Sequence, residues 1–395
     1  MKLTFRWFGP TDSIPLRYIR QIPGMTGVVT AVYGVPVGEV WKESDLKPLR
    51  EACEAEGLRM EVIESIPVHE DIKLGLPTRD RYIENYCRNV EVCAAQGVKC
   101  VCYNFMPVFD WLRTDLFHKN ADGSTSLSYS HDDFAGLDPK ELHLPGWDES
   151  YTPQELRSLL DAYANVTRED LFNSLVYFLE RVIPVCERCG VNLAIHPDDP
   201  PWDVFGLPRI ISCEADLDRL FAAVPSKANG LTLCTGSFGA GRTNDVARFA
   251  EKYAAQGRVH FVHLRNVLYT DDKDSFQESG HLSANGSLDM AKIGILAAAI
   301  AFCGLSAACW LILALFALGH IFASNKKLGM WYVKLTGLLP WLVFAAIPTA
   351  ALMLPMKKRL SSTANTAWRP SSLPGATTAA SLRAVFSRWA ASFCS

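Results

Sequence analysis

The sequence predicts an α/β protein built on a parallel sheet, and three observations predict it. Short β-branched or apolar runs recur along the chain: KLTFRWF (2–8), GVVTAVY (27–33), LRMEVIES (58–65), VKCVCYNF (98–105), VNLAIHP (191–197), GLTLCTG (230–236) and VHFVHLRN (259–266). Amphipathic helical patterns fall between them. Each pattern closes on a glycine, so strand, polar turn, helix and glycine repeat in the rhythm of βα units. Alternation alone fits either a doubly wound sheet or a (β/α)8 TIM barrel. No G-x-G-x-x-G follows the first strand, which disfavours a dinucleotide-binding sheet. A barrel needs an eighth strand. It is due after the helix that opens at SLDMAKI (287–293), and there the sequence changes character.

The helices follow in order. SDLKPLREACEAEG has Ser44 as its cap and closes at Gly57. TRDRYIENYCRNVEVCAAQG runs from Thr78 to Gly97, and TNDVARFAEKYAAQG from Thr243 to Gly257. LFNSLVYFLERVIPVCERCG closes at Gly190, so the C-x-x-C formed by Cys186 and Cys189 ends a helix. Redox motifs of that spacing open helices, where the dipole lowers the thiol pKa. This one therefore reads as structural, and the twelve scattered cysteines read as free thiols of a reducing, cytoplasmic enzyme. The stretch from Met106 to about Thr152 reads as a long irregular insertion after the fourth strand.

Composition divides the chain. Residues 1–292 carry 30 Lys and Arg against 42 Asp and Glu, whereas residues 293–395 carry 9 Lys and Arg and no acidic residue. A domain boundary is therefore expected near Lys292. The acidic balance of the first part gives no footprint for nucleic acid. The N-terminus has no apolar signal-peptide core. Beyond the boundary, 293–323 and 335–356 are apolar runs that exceed the ~20 residues needed to span hydrocarbon. Residues 293–359 thus read as two membrane-like helices, and 360–395 as a low-complexity tail.

Three strands end in a metal-competent side chain: His196 in AIHPDDPP, Cys234 in TLCTGSFG and His263 in FVHLRN. Their separations of 38 and 29 residues are about one βα unit each. In a barrel such positions lie side by side at the C-terminal mouth, where active sites form. Two imidazoles and a thiolate suit Zn, Fe, Mn, Co or Ni. A lone strand-end Cys or His is more often a core residue; three at matching ends favour metal. Further polar residues sit at the same ends: Arg6, Trp7, His69, Asp71, Lys73, Asn104, Asp198, Asp199, Arg265, Asn266, Glu278 and His281. Cations and hydrogen-bond donors of this kind suit a polyhydroxylated anion such as a sugar acid; each taken singly is equally a solvated rim residue.

At these residues the chain resembles the D-mannonate dehydratases. The resemblance runs through RWFGPTD, ESIPVHEDIKLG, NFMPVFDWLRTDL, LAIHPDDPPW, LCTGSFGA, VHFVHLRNV and ESGHLSANGSLDM, in order over residues 1–292. It implies a barrel of the xylose-isomerase type, here without its last strand, and loss of water from D-mannonate to give 2-dehydro-3-deoxy-D-gluconate. It implies Mn2+ or Fe2+ held by His196, Cys234 and His263, a homo-oligomer and a cytoplasmic location; Arg6, Trp7, His69, Lys73, Asn104, Asp198, Arg265 and His281 are read as substrate contacts from their strand-end positions. The family's next strand ends in an Arg-Pro-Asp-His-Gly-Arg segment that supplies a fourth ligand and proton-transfer groups. No such segment follows Met290 in this chain, so the catalytic residues are left unassigned and impaired activity is expected. Membrane association through 293–356 is the expectation that competes with a purely cytoplasmic enzyme.

Overall fold

A computed structural model describes residues 2–137 and 151–294. Seven strands form one parallel sheet: β1 (Leu3–Arg6), β2 (Met25–Thr30), β3 (Arg59–Glu64), β4 (Cys100–Tyr103), then β7 (Asn192–Ile195), β8 (Asn229–Cys234) and β9 (Val259–His263), adjacent in that order. They coincide with the seven runs read from the sequence. The intervening β5 (Asp115–Lys119) and β6 (Thr125–Tyr129) belong to a second, antiparallel sheet, which β10 (Asn266–Tyr269) and β11 (Phe276–Ser279) complete in the order β10-β11-β6-β5. The insertion after the fourth strand is therefore not irregular throughout. Its hairpin pairs with the segment after β9, through Phe276 opposite Tyr129. The run VHFVHLRN also divides, since pairing in the main sheet stops at His263 and Asn266 starts β10.

The main sheet curls. Thr232 on β8 donates a hydrogen bond of 3.2 Å to the Cys102 sulfur on β4, across the concave side. A small apolar cluster of Val29, Val62, Cys100, Cys102, Ala194 and Phe261 fills that interior. This is a TIM-barrel-type fold. Among the described residues β1 pairs only with β2 and β9 only with β8, and no eighth strand joins them.

Helices cover the convex side and bury the larger core. In chain order they are α1 (Leu16–Ile19), α2 (Glu43–Ala55), α3 (Glu70–Lys73), α4 (Arg79–Ala95), α5 (His131–Ala135), α6 (Pro153–Tyr163), α7 (Arg168–Cys189), α8 (Glu214–Ala223), α9 (Thr235–Ala240) and α10 (Val246–Ala255). The long α7 begins with a reciprocal cap between Thr167 and Asp170 and ends at Gly190, whose φ of 63° needs no Cβ accommodation. Cys186 and Cys189 lie in its last turn, and burial pushes the Cys186 thiol up to about 12, away from the thiolate a redox motif needs. All nine described cysteines are free thiols. Two helix starts differ from the sequence reading: Lys42, not Ser44, precedes α2, and Asp245, not Thr243, caps α10 by accepting from Arg248 N–H. In both cases the nearer acidic side chain supplies the capping bond.

SLDMAKI does open a helix. Residues 290–294 are helical, Asp289 accepts from the Lys292 amide at 3.0 Å, and Leu288, Met290 and Ile293 are buried. Among the described residues no helix is long and apolar enough to cross a membrane. The two membrane-like runs and the low-complexity tail lie outside the described residues, apart from the first positions of the first run.

Candidate metal centre

Parallel register assembles this site. Cys234 and His263, the last residues of β8 and β9, are direct partners in the ladder. His196 follows β7, and its amide donates to Tyr103 O at 2.7 Å, continuing the β4–β7 pairing. One donor atom from each of His196, Cys234 and His263 lies within 4.8 Å of the others. The two imidazole centroids are 5.2 Å apart. Cys234 and His263 are buried and His196 is half-buried, so the cluster is open on one side only. There a cavity of about 80 Å³ is lined by Glu64, Asn104, Asp110, Trp111, His196 and Asp199. A larger cavity of about 550 Å³ is lined by Lys2, Lys99 and Asn192 near the strands' N-terminal ends, by Val259 and Phe261 of β9 and by Ala250 and Ala254 of α10. Barrel chemistry belongs to the opposite end, so the smaller cavity is the one at the site.

Neighbouring groups set the state of Cys234 and His263. The Pro197 carbonyl, 2.7 Å from His196 Nδ1, can only accept, so Nδ1 carries a proton and Nε2 is the nitrogen left for the centre. Burial would raise the Cys234 thiol, but the Arg265 guanidinium and His196 outweigh it and hold the thiol well below its ordinary value. Burial would depress His263, but Glu64 and Cys234 raise it to about 9. Glu64 in turn is pulled down to about 2, because His263 and Arg6 outweigh its own desolvation. Two imidazoles and a thiolate-competent sulfur fit a divalent transition-metal ion.

Behind Cys234 lies a buried ion network. Arg113 grips Asp199 with a fork of 2.7 and 3.1 Å and reaches Glu278 at 2.9 Å. Arg265 bonds Glu278 at 3.2 Å, Asp199 at 3.1 Å and the Cys234 sulfur at 3.3 Å. Ser237, on α9, donates 2.9 Å to Asp199 and lies 3.1 Å from the same sulfur. None of the four charged residues is more than 3% exposed, so each charge needs its partners. Arg113 comes from the insertion and Glu278 from β11, so the second sheet is bonded to the site.

The other residues expected at the site divide. Asn104 lines the cavity, with its Oδ1 accepting from the Met106 amide at 3.2 Å. Arg265 is bonded to the network just described. Arg6 is buried, 3.2 Å from Glu64 Oε2 and 3.1 Å from the Tyr33 hydroxyl. Trp7 is 3% exposed within the main core. His69 caps α3 through Asp71 N–H and stacks on Tyr82 at 3.7 Å. Lys73 is buried between Glu70 at 2.6 Å and Met106 O at 2.7 Å. Asp198 accepts from Ile211 N at 2.6 Å and the Ser212 hydroxyl at 3.0 Å, tying down the following loop. His281 is half-buried, and its imidazole is lowered by desolvation. Sequence reasoning missed Glu64, Asp110, Arg113 and Ser237 as site residues. Only Glu64, at the end of the third strand, offered a positional signal.

The fold and the donor set define a TIM-barrel-type enzyme with a candidate metal centre at the strands' C-terminal ends. Comparison with known proteins agrees. A family model described as D-mannonate dehydratase (UxuA) matches residues 1–301, extending past the boundary read at Lys292. The mannonate dehydratase of Thermotoga neapolitana is 52% identical over 305 residues, covering 74% of this chain and 84% of its own length. Mannonate dehydratase 2 of Halalkalibacterium halodurans is 50% identical over 292 residues, covering 73% and 84%. A crystal structure of mannonate dehydratase from Streptococcus suis serotype 2 superposes with a TM-score of 0.71 at 44% identity, covering 76% of this chain and 82% of that one. The chain belongs to the D-mannonate dehydratase family, whose members are hydro-lyases.

Proposed function

We propose that the barrel takes D-mannonate at the cavity beside His196 and removes water to form 2-dehydro-3-deoxy-D-gluconate, with His196, Cys234 and His263 holding one Mn2+ or Fe2+. The observation that carries this reading is the convergence of two imidazoles and a sulfur, within 4.8 Å, at the ends of three neighbouring parallel strands. When bound, the metal supplies a Lewis acid for the sugar acid's carboxylate and adjacent hydroxyl, where negative charge gathers as the C2 proton leaves. The protein's part is to fix and desolvate. Arg265 and His196 keep the Cys234 sulfur anionic, with Ser237 packed 3.1 Å from it. Asn104 faces substrate hydroxyls, and Asp110 is a cavity carboxyl that burial raises above the ordinary carboxylate range. Arg6, Trp7, His69, Lys73, Asp198 and His281 do not line this cavity, and their expected part in holding substrate is not carried into the proposal.

The chain's own turnover is expected to be low, because the proton-transfer segment of the resembling family has no counterpart after Met290. Incubating the purified chain with Mn2+ and D-mannonate, and measuring 2-dehydro-3-deoxy-D-gluconate, tests this; robust turnover contradicts impairment. The ligand assignment has a separate measurement. His196→Ala and Cys234→Ala should each lower the bound-metal stoichiometry, and unchanged stoichiometry refutes it.

The apolar runs 293–323 and 335–356 support a second reading, a barrel tethered to a membrane. The full chain is then expected in a carbonate-resistant membrane fraction. Complete recovery in the supernatant excludes the tether and leaves the cytoplasmic assignment.

A further inference from the structure

None of the three candidate ligands comes from the third strand, yet one of its residues reaches the centre. Glu64 ends β3, the third strand of the sheet, and His263 ends β9, the seventh. The curl brings Glu64 Oε1 to 3.3 Å from His263 Nε2 across the mouth. On its other side Glu64 Oε2 meets Arg6 Nη1 at 3.2 Å, and the same Nη1 donates to the Glu64 backbone carbonyl at 2.6 Å. The Cys102 thiol adds a contact of 3.4 Å to Glu64 Oε1. Arg6 lies on the edge strand β1 and His263 on the opposite edge strand β9, so this chain of contacts spans the two edges.

We propose that Glu64 is a positioning residue for the metal centre: paired with Arg6 on one edge strand, its carboxylate braces the His263 imidazole on the other and keeps the three donors assembled. The inference rests on the three-ligand reading above. Two physical effects are at work. A carboxylate against a ligand imidazole restrains the ring and strengthens it as a donor. It also neutralises Arg6, which is 4% exposed and would otherwise set an uncompensated cation beside a cation-binding site. No backbone pairing joins β1 to β9 among the described residues, and this side-chain contact relates their ends.

The test is a Co2+ titration of the metal-free full chain, followed by the sulfur-to-cobalt charge-transfer absorption. Wild type should bind one equivalent and develop that band. Glu64→Gln, close in shape but uncharged, should raise the Kd for Co2+ about 10–100-fold and keep the band. Glu64→Asp, shorter but charged, should fall between the two. Far-UV circular dichroism and thermal unfolding of the metal-free variants separate folding from binding. A purely structural Glu64 would lower the unfolding temperature and leave the Kd of the folded protein unchanged, and that result overturns the proposal. If Glu64→Gln does not fold, wild-type affinity in Glu64→Asp overturns it instead. A wild-type chain without the band, or a Cys234→Ala chain that retains it, overturns the three-ligand reading itself.

Discussion

Cys234 illustrates how a single residue is made reactive by its neighbours. A buried thiol is ordinarily a small apolar side chain with a raised pKa, as at Cys53, Cys93 and Cys100. Cys234 differs because Arg265 and Ser237 point at its sulfur and His196 faces it. Arg265 is in turn held by Asp199 and Glu278. Asp199→Asn removes the carboxylate from two buried guanidinium groups, and a loss of about 3–5 kcal/mol is expected in urea unfolding of the metal-free chain. The same carboxylate predicts a pH dependence. Burial would raise Asp199, but Arg113 and Arg265 hold it far below the ordinary carboxylate range. A depressed folded value means its stabilisation is complete above the unfolded pKa near ~4 and declines as pH falls further below it. The unfolding temperature of wild type should therefore drop below about pH 4 more steeply than that of Asp199→Asn; parallel curves contradict the assignment. His196, Cys234 and His263 were readable from sequence because each ends a strand. Arg113, Ser237 and Glu64 were not, since their partners lie in other elements and only folding sets the distances.

Elements of this fold are specified locally and joined by a few close contacts. Phe178 of α7 is fully buried, with its ring 4.9 Å from Tyr86 of α4 and 5.8 Å from Tyr103 of β4. It joins two helices to the sheet, and Phe178→Ala should cost about 3–5 kcal/mol by chemical denaturation. Gly230 on β8 is a close-approach position. A Cβ there would lie 2.0 Å from the His260 ring and 2.5 Å from the Arg258 carbonyl on the neighbouring segment. The carbonyl cannot yield as a flexible side chain would, so Gly230→Ala should destabilise by about 1–3 kcal/mol and disturb the strand that presents Cys234. A stability equal to wild type would show that β8 is free to shift. The helices and parallel strands were legible because apolar periodicity and closing glycines are local signals. The β5–β6 hairpin was not, because β5 is largely exposed and β6 is completed by β11, more than a hundred residues later in the chain.

In the molecule as a whole, the curled parallel sheet decides where chemistry can occur. Seven βα-type strands place their C-terminal ends at one mouth, and the two sheets meet there through Arg113, Asp199, Arg265 and Glu278. The family match to residue 301 and the helical start at 290–294 extend the enzyme-like chain into the first apolar run. By itself the sequence determined the α/β class, the seven strands, their order along the chain and the three strand-end donors, because periodicity and spacing are properties of neighbouring residues. Tertiary structure alone decided that the donors converge, that the insertion builds a second sheet, and that Glu64 reaches His263 from four strands away. Those relations depend on sheet curvature and strand register, which arise only when the whole core packs.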